Sequence, residues 1–293
     1  MSDDQHTKPT STTPVSGVDM SLDEEDRGLL YDLPVLLERR RALMLFGSAG
    51  LAALAACSAS PSTGTPSASA TGTSAADTSG ASTSSALTEV PDETAGPYPG
   101  DDSNGVNVLD DTGIVRSDIT SSFGSTTAKA EGVPLTVRLT VKDVATSQAL
   151  VGAAVYLWHA DAQGRYSMYS QGVSAENYLR GVQSTEVSGT ATFTSVYPGC
   201  YDGRWPHIHF EVYRSVEEAT AAGQIVKTSQ IALPQATCEQ VYASNVYPDS
   251  AGNLAKVSLS TDNVFREDSG TSQLATMSGD TASGYTAART IGV

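Results

Sequence analysis

The sequence predicts an all-β protein, a single β-sandwich over residues 89–293 carried behind a long non-globular N-terminal stretch. Apolar and polar residues alternate with a period of two in several runs after residue 89, Gly- and Pro-containing turns separate those runs, and helical periodicity is weak. Residues 1–88 show none of these features and divide instead by composition into three segments.

Residues 1–38 are polar and acidic, with Asp23-Glu24-Glu25-Asp26 and no sustained periodicity, and read as a disordered cytoplasmic leader. Residues 39–57 change character. Arg39-Arg40-Arg41 precedes an uncharged Ala/Leu/Gly-rich run that ends at Leu54-Ala55-Ala56-Cys57. A basic start, a short apolar stretch and a small-residue end are the parts of an export signal, and the stretch is short for a membrane span. The paired arginines resemble a twin-arginine signal, and Leu54-Ala55-Ala56-Cys57 resembles a bacterial lipobox with Cys57 as the lipidated residue. The alternative is a transmembrane anchor with an incidental cysteine. Both place the domain outside the cytoplasm, on the outer face of the membrane or at the cell surface. Residues 58–88 are almost wholly Ser, Thr, Ala, Gly and Pro, a composition that cannot bury enough apolar surface to order itself, and read as a flexible tether.

In the sandwich, Leu135–Val141 alternates strictly and Ala153–Trp158 is a short β-prone run. Further strands are expected at Thr190–Phe193, His207–Tyr213, Gln230–Leu233 and Thr286–Val293. Turns are expected at Asp161-Ala162-Gln163-Gly164, Val187-Ser188-Gly189 and Tyr197-Pro198-Gly199, and Cys238–Ser244 is the best short helix. With Cys57 assigned to the lipobox, Cys200 and Cys238 remain. An oxidising compartment favours a disulfide between them, against two free thiols or Cys200 as a metal ligand.

Lys+Arg number 17 against Asp+Glu 33, a net charge of −16, which argues against a nucleic-acid partner because that role needs a basic face. The chain holds only 4 His and 3 Cys, so a metal site has few candidate ligands. His207-Ile208-His209 lies in an expected strand, where alternate side chains share a face, so both imidazoles point one way while Ile208 and Phe210 point the other. Such a pair is half of a transition-metal site, or simply a hydrogen-bonded structural pair. Tyr166, Tyr197, Tyr201 and Arg204 lie near it in sequence. Phenolate is a hard anionic donor, so a His/Tyr set suits Fe(III) better than zinc or copper(I).

The segments Trp158-His159-Ala160-Asp161-Ala162-Gln163-Gly164-Arg165-Tyr166-Ser167 and Tyr197-Pro198-Gly199-Cys200-Tyr201-Asp202-Gly203-Arg204-Trp205-Pro206-His207-Ile208-His209-Phe210, with Glu93–Pro99 and Arg116–Ile119, resemble the intradiol ring-cleavage dioxygenases, most closely their secreted single-domain relatives. The resemblance covers roughly residues 90–293. It implies a non-haem Fe(III) held by Tyr166, Tyr201, His207 and His209, with Tyr201 and His209 axial, and a catechol-type substrate that reacts with O2 to give a muconate-type diacid. Tyr201 would also accept a substrate proton, and Arg204 would stabilise the electron-rich substrate through its fixed charge. The resemblance places Tyr98, Gln183 and Arg204 against the substrate, and His159 in a supporting role. A departure from the family pattern is Cys200, which in a disulfide with Cys238 would brace the loop carrying Tyr201. A non-catalytic surface lipoprotein that binds carbohydrate or protein is the competing reading, and neither reading assigns an oligomeric state.

Overall fold

The computed structural model describes residues 87–293. The leader, the export signal, Cys57 and nearly all of the tether therefore lie outside the described residues. Eight strands form two four-stranded sheets: β1 (Pro134–Lys142), β2 (Ala154–Trp158), β3 (Arg180–Ser184), β4 (Thr190–Val196), β5 (His207–Tyr213), β6 (Ile225–Ala232), β7 (Thr276–Asp280) and β8 (Gly284–Gly292). One sheet has the order β4-β1-β8-β7 and the other β3-β2-β5-β6. All neighbours are antiparallel except β1 and β8, which run parallel from Leu135 opposite Tyr285 to Lys142 opposite Gly292. This is the β-sandwich expected from the alternating runs.

The strict alternation of β1 marks a strand with one wet face. Leu135, Val137, Leu139 and Val141 are buried, and the residues between them are exposed or half-buried. Strands β2 and β5 are different, because every residue in both is buried. One face of β2 and β5 supplies Val155, Leu157, Ile208, Phe210 and Val212 to the core between the sheets, which also holds Phe193, Ala287 and Ile231. The opposite face of the same strands packs a second cluster, including Tyr156, Trp158 and Tyr213, against Val108, Leu109 and Ile114 of the irregular segment that precedes β1.

Two strands were not expected. β3 and β7 contain Gly181 and Gly279 and show no clear period-two pattern, so pairing to β2 and β8 carries them instead of local propensity. The helix expected at Cys238–Ser244 forms three residues earlier, at Gln235–Val241, with Pro234 at its N-cap. Short helices also form at Val216–Ala219 and Ser250–Leu254.

Candidate metal centre

His207 and His209 begin β5 on the face that looks away from the inter-sheet core. Their Nε2 atoms are 3.0 Å apart. Tyr166 Oη lies 3.3 Å from His207 Nε2, and Tyr201 Oη lies 3.2 Å from the same nitrogen. Four donor atoms from three separate parts of the chain therefore meet. Among the described residues no group of three or more His, Cys, Asp or Glu could hold a metal ion, so a metal here depends on the phenols.

The tyrosines reach this point through loops. Tyr166 follows the turn after β2, in which Asp161 Oδ1 accepts from the backbone of Gln163 at 2.9 Å and of Arg165 at 3.0 Å, while Asp161 Oδ2 pairs with Arg165 at 2.8 Å. The Asp161 carbonyl accepts from Gly199 at 2.9 Å, which ties the Tyr166 loop to the loop carrying Tyr201. Gly164, at φ +81°, lets the two loops touch, since a Cβ there would sit 3.0 Å from Tyr201 Cβ. Gly96, at φ +73°, similarly permits close approach, with an added Cβ 3.1 Å from His209 Cε1.

Cys200 and Cys238 are not bonded to each other, contrary to expectation; both are buried free thiols. Cys238 Sγ sits 3.1 Å from Tyr197 Oη, and Cys200 Sγ donates to the Arg204 carbonyl at 3.5 Å. Burial pushes both thiols up to about 12. The Tyr201 loop is braced by other means. Ser250 Oγ accepts from Cys200 N at 2.9 Å, and Asn253 Nδ2 donates to the Cys200 carbonyl at 2.9 Å.

The four donors fit a shared cation. His207 Nδ1 sits 2.5 Å from the Trp205 carbonyl, and because a carbonyl only accepts, the proton is on Nδ1 and the Nε2 lone pair faces the phenols. His209 stacks on Trp158 at 4.9 Å and 10°, and its Nδ1 is buried with no partner. Tyr166 Oη, Tyr201 Oη and His209 Nε2 all lie within 3.0–3.3 Å of His207 Nε2, so Tyr166, Tyr201, His207 and His209 are the residues that would hold one cation. Burial, then the charge of Arg204, brings His207 down to about 3, and burial followed by His207 puts His209 well below the usual imidazole range, so both rings are neutral donors. Burial pushes Tyr166 up to about 12. Ionising that phenol therefore calls for a strong positive charge beside it, as a trivalent cation provides.

Arg204 is 2% exposed. Its Nε donates to Asp262 Oδ2 at 3.0 Å and its Nη2 to Gln230 Oε1 at 2.6 Å. Asp262 also accepts from Trp205 N at 2.7 Å, so one carboxylate positions both Arg204 and the carbonyl that orients His207. Burial opposes its ionisation, but Arg204 and these N–H donors hold Asp262 below the usual carboxylate range. A cavity of about 400 Å³ opens beside the donors, with Tyr98, Tyr166, Tyr201 and Arg204 in its wall. Tyr98 packs on Tyr166 with ring centres 4.9 Å apart.

One sequence reading changes here. Gln183 lies on β3 with its amide donating to the Val182 carbonyl at 3.0 Å, and it is not in the cavity wall. Gln230 on β6 is the glutamine that reaches the site, through Arg204. His159 plays a supporting part, with Nδ1 2.8 Å from the Ala160 carbonyl and Nε2 2.7 Å from Ser195 Oγ. Arg180, Gln230 and Asp262 were missed. Arg180 donates to the Tyr98 and Pro99 carbonyls, both at 2.9 Å, and so holds the segment that carries Tyr98. An Arg inside the expected-loop sequence Tyr178-Leu179-Arg180-Gly181 carried no local signal for this role.

A family model described as dioxygenase matches residues 118–225. No curated protein matches the chain. Among solved structures, an intradiol ring-cleavage dioxygenase from Tetranychus urticae is 24% identical, with a TM-score of 0.55 over 70% of this chain and 94% of its own. A second dioxygenase, also 24% identical, gives a TM-score of 0.56 over 70% of this chain and 93% of its own. The resemblance carried by the tyrosine, arginine and paired-histidine segments is thus borne out, and this chain is similar in sequence to a dioxygenase family over residues 118–225 and in fold to an intradiol ring-cleavage dioxygenase over its described sandwich.

Proposed function

We propose that this chain is an Fe(III)-dependent intradiol dioxygenase that inserts both atoms of O2 into a catechol-type ring and opens it between the hydroxyl-bearing carbons, giving a muconate-type diacid. The family match supports ring-cleavage dioxygenase activity in general. The observation that carries the finer reading is the meeting of two phenol oxygens and the His209 Nε2 within 3.0–3.3 Å of His207 Nε2, beside an open cavity. Tyr166, Tyr201, His207 and His209 would hold the iron. When bound, ferric iron supplies the Lewis acidity that draws electron density from the catechol and opens its ring carbons to O2.

The surrounding residues divide the remaining work. Tyr201 is half-buried where Tyr166, His207 and His209 are buried, so its phenolate is the ligand most open to an arriving catechol and the natural acceptor of a hydroxyl proton. Arg204, pinned by Asp262 and Gln230, presents a charge that needs no rearrangement as electron density builds on the substrate. Tyr98 forms a wall for the ring.

The test is to load the protein with Fe(III), record its visible spectrum and follow O2 uptake with catechol. Tyrosinate-to-iron charge transfer should colour the protein red-brown, and the product should be the ring-opened diacid. A colourless, iron-free protein that turns over catechol, or cleavage beside the hydroxyls, would overturn the reading.

We further propose that the domain is exported and anchored through a lipid on Cys57, as the sequence of residues 39–57 supports. Metabolic labelling with a fatty acid should mark the protein, and Cys57→Ala should abolish the label.

A further inference from the structure

The outer end of the cavity carries a charge pattern that ring cleavage leaves unused. Buried Tyr166 and Arg204 mark its inner end, while Asp202, Asp249 and Lys256 line it where the chain is exposed. Lys256 is already engaged: its Nζ donates to Asp202 Oδ1 at 3.0 Å and to Asn253 Oδ1 at 3.2 Å. Asp249 has no hydrogen bond or ion pair through its carboxylate among the described residues, and although it precedes the helix Ser250–Leu254 it does not cap it. The Arg204 charge is matched at the inner end by Asp262. The rim thus sets two carboxylates against one ammonium and leaves Asp249, an exposed residue of the cavity wall, uncompensated.

We infer that this rim selects among catechols by the charge of the ring substituent, favouring a cationic or neutral hydrogen-bond-donating group over a carboxylate, with Asp249 as the specificity-determining residue; the inference rests on the function proposed above. A carboxylate reaching the rim meets Asp249 directly and gains Lys256 only by displacing Asp202. An ammonium or hydroxyl group donates to Asp249 without disturbing that pair. The groups are exposed, so the preference is modest and weakens with salt.

The experiment uses the full chain loaded with Fe(III) and three catechols with a group of similar size para to one hydroxyl: aminomethyl, hydroxymethyl or carboxylate. Unsubstituted catechol is the reference in every variant. Expected kcat/KM falls in that order, with about a 3- to 10-fold span at low salt that shrinks in high salt. Anaerobic calorimetric affinities should fall in the same order. Asp249→Asn should reduce the span toward parity. Catechol turnover combined with an equal or better carboxylate substrate, or with a span that Asp249→Asn leaves unchanged, overturns the rim assignment alone. Iron-loaded protein that turns over none of the four diols overturns the underlying function, and this inference with it.

Discussion

The two faces of strand β5 are equally buried, yet they obey different rules. Ile208, Phe210 and Val212 enter the core between the sheets, where area and shape decide stability and any side chain of similar volume serves. His207, His209 and Glu211 face the other way, and each brings polar atoms that need partners out of reach of water. Most of those partners are supplied by loops and β6, through Trp205, Tyr166, Tyr201 and Thr228. The first face is a packing problem that many sequences solve. The second is a chemical one, and only particular donors at particular places solve it.

Substitutions should separate the faces. Phe210 is fully buried, and Phe210→Ala should cost about 3–5 kcal/mol of stability by denaturant titration, with Phe210→Leu much milder. His209→Ala should leave the metal-free fold within about 2 kcal/mol of the parent while losing iron and lowering turnover by more than the roughly 10- to 100-fold typical of supporting residues. If it destabilises the domain as much as Phe210→Ala, the division between the faces fails. Arg204→Ala should keep the iron colour and lose most of the rate, and full retention of rate would remove Arg204 from the mechanism. Asp262→Asn should lower kcat by about 10- to 100-fold with iron content preserved, because it loosens Arg204 and the Trp205 backbone together.

The smallest effect should come from Glu93, in the segment that covers the site. Burial, reinforced by the nearby charge of Glu267, raises its carboxyl from the usual 4.5 to about 8. A raised folded value means that its stability contribution is fully present below about 4.5 and is lost as pH climbs through about 8. Glu93→Gln should therefore flatten the fall in melting temperature across that window. An unchanged slope would show that Glu93 ionises freely in the fold.

Local pattern, strict alternation in β1 and short β-prone runs elsewhere, made β1, β2, β4, β5, β6 and β8 legible, with ends that moved by several residues at most, because both are properties of neighbouring side chains. It left β3 and β7 invisible, since both contain glycine and depend on partners elsewhere in the chain. Within the site, the shared face of His207 and His209 followed from the same alternation, and motif resemblance singled out Tyr166, Tyr201 and Arg204. Gln183 was chosen by its position in sequence, but β6 instead presents Gln230, which no spacing within the motif could indicate.

The sequence by itself determined the sandwich and the direction of the paired imidazoles, because these depend on residue type and on alternation within a strand, while motif resemblance completed the set of four candidate donors. Tertiary structure alone decided that the donors meet, that Cys200 and Cys238 are unbonded, and that Asp262 and Gln230 hold Arg204. Those outcomes rest on hydrogen bonds closed across long stretches of chain, from Asp262 back to Arg204 and from Gln230 back to Thr94, and such closures are set by how loops pack rather than by any local pattern.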